Sequence, residues 1–310
     1  MNIISNNIHP FYYVNIWGNK KIMINKMFSI YDFLGYLVPG IFLVTNTYWI
    51  IKLEDKNYRF EEIKTLFGKI NGIEIEKVFV LIVVMYILGH IISYISSITI
   101  ERYSIWSLGY PSRYLLGFRK DSYFKVKTSR VMRVIMRIVC FIFLLPITSW
   151  DIILCHSPLK MSKIVAKPLD PEMQCTLKKC ICQNLQEKYQ IFYFCHNKNI
   201  DFLRIIYHEI VEESVSHFPK IQNYVALYGF ARTITLVLNI STYFLIIRIF
   251  NINIKNISLW AFTFLLSFSS FLMYCCYNKF LRKYNLEILM AYLVKMKVQP
   301  QINNCNKKCS

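Results

Sequence analysis

The chain alternates long uncharged apolar blocks with shorter stretches crowded with lysine and arginine. Residues 33–51, 78–100 and 256–278 contain no Asp, Glu, Lys or Arg. A helix rises about 1.5 Å per residue, so roughly 20 such residues are needed to cross a bilayer core. The first predicted span covers 31–51, and Pro39-Gly40 in its middle predicts a kink that neighbouring helices must satisfy. The second, 78–100, is the clearest of all. A third block at 229–250 carries Arg232 and Arg248, whose long stems can snorkel to opposite interfaces. The last span, 256–278, follows after a short connector.

Residues 138–150 (IVCFIFLLPITSW) fit neither class cleanly. Thirteen uncharged residues rise only about 20 Å, and Pro146 interrupts them. The segment reads as a re-entrant or interfacial helix, or as a short fifth span if Asp151 and the residues after it are added. The polar stretch that follows predicts two helices. Asp170-Pro171-Glu172 supplies an N-cap acceptor, Pro at the first helical position and an acid in the first turn. Met173, Leu177, Ile181 and Leu185 then recur at helical spacing. A second amphipathic stretch, 201–217, places Phe202, Ile205, Ile206 and Ile210 on one side.

The expected fold is therefore all-α: a polytopic helical membrane protein with four spans, or five if 138–150 crosses. Its parts are a polar arm 1–28; membrane helices within 29–100, joined by a linker 52–77; and a basic connection 101–137. Then come the short apolar segment 138–150, a helical hydrophilic segment 151–228, two membrane helices within 229–278 and a basic tail 279–310. The first 26 residues lack the continuous apolar core of a signal peptide. Met27 is a second plausible start.

Composition agrees with the membrane reading. Of the residues, 55 % are hydrophobic, 16 % aromatic and 18 % charged, against roughly 25 % charged in soluble chains. A secreted mini-domain, a collagen-like repeat and a disordered tail are excluded. The net charge of +19 would suggest nucleic acid in a soluble protein, but no helix-turn-helix, zinc-finger or RNP pattern accompanies it. Part of the excess reflects a Lys-, Ile-, Asn- and Tyr-rich composition, and the rest flanks apolar blocks, where it sets orientation and meets anionic headgroups. Segment 101–137 has nine Lys/Arg against two acids, and 279–310 has seven against one. Four spans put both on the cytosolic side with the arm and the central segment; five would leave the tail outside.

Candidate polar positions lie within the blocks. Gly89, Ser93 and Ser97 recur every four residues, with His90 and Glu101 close to the same face. Small residues at this spacing favour close helix packing, whereas His90 facing a cavity would suggest a polar path. Arg232, Thr235, Asn239 and Thr242 form a partner stripe. Ser112, in GYPSRYLL, has no nucleophile pattern around it. Cys175, Cys180 and Cys182, with Cys155-His156 and Cys195-His196, are chemically able to bind zinc, but their spacing is not that of a zinc knuckle, and idle thiols are expected. His208, Glu209, Glu212, Glu213 and His217 read as a solvated helix face. No P-loop, dinucleotide fingerprint or kinase signature occurs. No catalytic residue, cofactor or metal is expected.

Two segments, 31–40 (YDFLGYLVPG) and 224–232 (YVALYGFAR), resemble bacterial multi-pass inner-membrane proteins, some of them associated with anti-phage defence. The resemblance implies a defence-type membrane component and transfers no catalytic residue. The function expected is a non-enzymatic, oligomeric effector or sensor in the bacterial inner membrane, acting on membrane integrity. Its partners would be the lipid bilayer, further copies of itself and a cytosolic protein, without nucleic acid. A transporter or channel with a path along the second and fourth blocks is the alternative, and a membrane-embedded enzyme fits least.

Overall fold

The computed structural model describes residues 33–52, 75–118, 131–156, 165–190, 202–213, 218–252 and 257–296. The arm 1–28, nearly all of the linker 52–77, the Cys195-His196 pair, His217 and the tail beyond 296 lie outside the described residues, as do the side chains of Cys155, His156, Glu212 and Glu213. Among the described residues every regular element is helical. A π turn (Phe33–Leu37) leads into α1 (Val38–Lys52). Helix α2 (Ile75–Ser96) passes through a second π turn (Ser97–Glu101) into α3 (Arg102–Leu108), followed by α4 (Pro111–Leu115). Then come α5 (Val131–Phe143), α6 (Leu145–His156), α7 (Pro171–Tyr189), α8 (Phe202–Glu213), α9 (Phe218–Ile252) and α10 (Ile257–Lys295).

Three helical segments are long and apolar enough to cross a membrane: Glu76–Leu115, Phe218–Asn251 and Leu259–Lys295. Helix α1 is a shorter apolar helix, and α5 and α6 form a pair bent by 88°. The bend follows from Pro146, which has no N–H to return to the preceding turn. The chain leaves the head of the molecule at Phe118 and is back there at Leu169, whose N–H donates to the Leu115 carbonyl at 3.1 Å. Both flanks of the bent pair thus sit at the same end. The irregularity expected at Pro39-Gly40 takes the form of the π turn just before it.

Two hydrophobic cores are stacked along one axis. The first joins α2, α3, α5, α6, α9 and α10 through Ile92, Ile100, Leu144, Leu236, Val237 and Phe271. Outside it, α2, α5 and α10 turn Phe79, Val80, Ile135, Val139, Phe264 and Leu265 outward, an inside-out arrangement suited to lipid. The second core lies in a hydrophilic head, where Leu177, Ile181 and Leu185 of α7 meet Phe202, Ile206 and Ile210 of α8. Its floor is Ile221 from the start of α9 and Ile288, Leu289 and Tyr292 from the end of α10. The two long helices therefore serve both cores. At 35 and 39 residues they rise about 52 and 58 Å, against a bilayer core of about 30 Å. The segments 218–228 and 279–295, expected as parts of the hydrophilic segment and of the basic tail, are the first turns of α9 and the last turns of α10.

One acid of the head departs from the expectation of a solvated face. Glu209 is buried, its side chain only 5 % exposed. Its carboxylate accepts from Asn184 at 3.0 Å, Lys188 at 3.0 Å and Tyr189 at 2.9 Å. Lys295, at the end of α10, lies 3.6 Å away. Burial pushes the carboxyl towards neutrality, but the bonds from Lys188 and Tyr189, the Lys295 charge and the Asn184 bond outweigh it and hold the group below the usual carboxylate range. The reason for its burial is the angular position of 209, about 20° from Phe202 at the edge of the packed face of α8.

A carboxyl so held stabilises the fold in its ionised form, fully above its unfolded-state pKa of about 4.3, and the contribution is lost as pH falls through the lowered native value. Hydrogen exchange of α7 and α8 should therefore accelerate on acidification below about pH 4. Glu209→Gln should accelerate the same amides at pH 7, by an opening free energy on the order of 3 kcal/mol. Unchanged protection in the variant would remove Glu209 from its role in locking the head.

Candidate functional site

The boundary between the two cores is where the buried polar side chains of the membrane helices converge. Arg232, in the third turn-pair of α9, projects towards the end of α2. Its guanidinium pairs with Glu101, and its Nε donates to Ser96 Oγ at 3.1 Å. Arg232 is the more enclosed partner, with 13 % of its side chain exposed against 39 % for Glu101.

Sequence spacing pointed to Ser93 and Ser97 rather than Ser96. In a regular α-helix, residues five apart lie about 140° from each other, so Ser96 and Glu101 would face different neighbours. The π turn over Ser97–Glu101 widens the helix so that residues five apart come round to one side. Ser97 is displaced by the same change, and its hydroxyl returns to the Tyr94 carbonyl at 2.7 Å. No residue type in this stretch announces a π turn.

From Glu101 the polar seam continues along α3. Tyr103 donates to Asp151 of α6 at 2.8 Å, Ser104 pairs with Asn278 of α10, and Ser107 lies 3.1 Å from the Tyr274 hydroxyl. Asn278 also donates back to the Tyr274 carbonyl at 2.9 Å. Tyr277 lies within the electrostatic reach of Glu101 and Arg232, and its buried hydroxyl has no partner among the described residues. Tyr103, Ser104, Ser107, Asp151, Tyr274 and Asn278 were not selected from the sequence. The available signal was the pairing of Ser104 and Ser107, three apart, with Tyr274 and Asn278, four apart, each pair on one helix face.

The remaining candidates fall elsewhere. Gly89 packs against α1: a Cβ there would lie 1.8 Å from the Tyr36 carbonyl oxygen. Gly40 makes the reciprocal approach, since a Cβ added there would clash with the Met85 carbonyl oxygen. Close approach is thus made by one glycine from each helix, not by the Gly89, Ser93 and Ser97 series. Ser93 is half-buried, and its carbonyl accepts from Ser96. His90 is exposed on the outer side of α2, stacked on Tyr36 at 3.7 Å with Tyr86 edge-on at 4.6 Å. His90 and Arg232 are not brought together, and the stripes do not line a common interior path.

Thr235 and Asn239 serve backbone groups. Thr235 donates to the Ala231 carbonyl, and its own carbonyl accepts from Ser270 of α10 at 3.1 Å. Asn239 Nδ2 donates to the Phe143 carbonyl at 3.0 Å, and Tyr243 donates to the Ile142 carbonyl at 2.7 Å. These are the carbonyls freed where Pro146 breaks the α5–α6 ladder, and in an apolar surrounding each would otherwise be costly. Among the described residues no three His, Cys, Asp or Glu side chains come together as a metal site. Cys175, Cys180 and Cys182 form no disulfide, and burial pushes the Cys180 thiol up. The seam thus joins helices and fixes their register; it offers no paired nucleophile and base.

Removal of Glu101 strands the more enclosed charge, so Glu101→Leu should destabilise the protein more than Arg232→Leu. The double variant should recover part of the loss, with a coupling of about 1–3 kcal/mol in a double-mutant cycle read by thermal unfolding in detergent. Additive losses would mean that the pair contributes nothing. At the α1–α2 crossing, Gly89→Val should separate the helices and Ser93→Leu should not, as judged by cysteine cross-linking between α1 and α2. The reverse order would return the close contact to the serine series.

Comparison with known proteins finds no matching family model, no similar curated protein and no similar solved structure.

Proposed function

We propose that the chain is a multi-pass protein of the bacterial inner membrane that couples a cytosolic helical head to a membrane bundle, as a non-enzymatic effector or sensor of a defence-type system. In this reading it crosses the bilayer four times, and the 138–150 region enters and leaves on the head side. The flanks of that region, held together by the Leu115–Leu169 backbone bond, support an even number of crossings. So does the charge distribution, since the basic connection 101–137 and the tail 279–310 then share the cytosolic side with the head.

The observation that carries the coupling role is the continuity of α9 and α10, whose side chains belong to both hydrophobic cores. A partner docking on the head would act on helices that cross the bilayer, with no flexible linker in between. The resemblance of 31–40 and 224–232 to bacterial multi-pass inner-membrane proteins, some of them associated with anti-phage defence, supplies the setting. Association with further copies would extend a change in one bundle to membrane integrity.

Reporter fusions after Lys127 and after Ser310 should both give cytosolic signals; a periplasmic signal from the second would end the four-crossing arrangement. Inducible expression in bacteria with a potential-sensitive dye tests the activity. The wild type should depolarise the membrane, whereas Ile206→Asp, which disrupts the buried head core, should insert normally and leave the potential intact. Equal behaviour of the two proteins would sink the coupling role.

A further inference from the structure

Helix α2 lies within the least enclosed of the three segments long enough to cross a membrane. One side of it faces the bundle: Gly89 approaches α1, Ile92 belongs to the bundle core and Ser96 accepts from Arg232 of α9. On the opposite side Val80, Val83, Ile87, His90 and Tyr94 are all exposed, Tyr94 over 68 % of its surface. Their spacing is 3, 4, 3 and 4. They therefore form one seam along the helix, in the pattern by which two parallel helices pack side by side.

The valines and the isoleucine suit lipid, but the other two members do not. His90 stands in the middle of the uncharged block 78–100. Tyr36 stacks on one face of its ring and Tyr86 meets it edge-on, yet the residue stays exposed on the outer side of the helix. Ionisable side chains within a span almost always face protein or water, because hydrocarbon solvates them poorly. Tyr94 lies one turn further on, and long side chains on a helix lean towards its N-terminus, which carries the hydroxyl back to the level of His90. A second copy of the chain presents the complementary groups at that same level. Copies in one membrane share an orientation, so two α2 helices meet in parallel, with equal positions facing across a two-fold axis. A tyrosine hydroxyl and a neutral imidazole are each both donor and acceptor, so the pair is self-complementary and needs no third chain.

We propose that the 80–94 seam of α2 is a homodimer interface, in which Tyr94 of each copy donates to His90 of the other across a two-fold axis normal to the bilayer. The proposal rests on the membrane-spanning, self-associating reading above and names the surface on which copies meet. The apolar members supply shape, and the two reciprocal hydrogen bonds fix the register of the pair.

The test uses the full chain with a benzoyl-phenylalanine photo-cross-linker introduced singly at Ile87, inside the seam, or at Leu265, exposed on α10. Irradiated bacterial membranes should give a covalent homodimer from position 87 and none from 265. Purified in mild detergent, the wild type should sediment as a dimer that dissociates on dilution. Tyr94→Phe and His90→Leu should each raise the dissociation constant about tenfold, since both remove the same hydrogen bonds. The double variant should then bind no more weakly than either single one. Tyr94→Phe keeps the ring at an exposed position, so the diluted monomer should unfold at the wild-type Tm. Cross-linking from 265 but not from 87 would overturn the seam while leaving self-association standing. A chain that is monomeric in membranes and in detergent would overturn both. Additive losses in the two single variants would overturn the Tyr94–His90 pairing.

Discussion

The antiparallel pairing of α9 and α10 is the interaction on which the other elements depend. Phe250 against Trp260, Thr235 against Ser270 and Tyr228 against Tyr277 keep the two helices in register over most of their length. Because the pair is far longer than a bilayer is thick, it offers two separate surfaces. One receives α1, α2 and the bent pair α5–α6; the other receives α4, α7 and α8. Neither set of short helices has an extensive core without it. In water, hydrophobic burial drives the docking of α7 and α8, whereas lipid is as apolar as the side chains that α1 and α2 present. Shape and hydrogen bonding must then hold the membrane half together.

That difference explains what is found at the two ends of the pair. In the bundle, contacts are made by backbone approach at Gly40 and Gly89 and by side chains that satisfy particular carbonyls. Asn239 and Tyr243 at the Pro146 break, and Ser270 at Thr235, all answer the requirement that backbone polar groups be paired where water is absent. In the head, ordinary apolar packing is combined with one buried carboxylate, Glu209, neutralised by lysines from α7 and α10. The polar seam from Ser96 to Asn278 lies between these regimes. It ties α2 and α3 to both long helices at the boundary between the two cores.

The proposed coupling role would draw on the continuity of the two long helices. A displacement of α7 or α8 acts directly on α9 and α10, and the seam relates those helices to α2 and α6. Two discrete arrangements of the seam are the physical element such coupling would require.

The sequence by itself determined the all-helical fold and the approximate position of each apolar block long enough to span a bilayer, because uncharged length is a local property. It also determined the start of α7 at Asp170-Pro171 and the packed faces of α7 and α8, which follow from a 3.6-residue period over an unbroken stretch. The meeting of Glu101 with Arg232 was legible only as two stripes. Their common partner Ser96 was not, since a π turn shifts the angular position of every later residue. Glu209 looked solvated because its neighbours Glu212 and Glu213 are acidic, yet burial depends on where α10 ends, more than eighty residues away. The lengths of α9 and α10 were underestimated for the same reason: polar residues end an apolar block, but helix continues wherever another core stands ready to receive it.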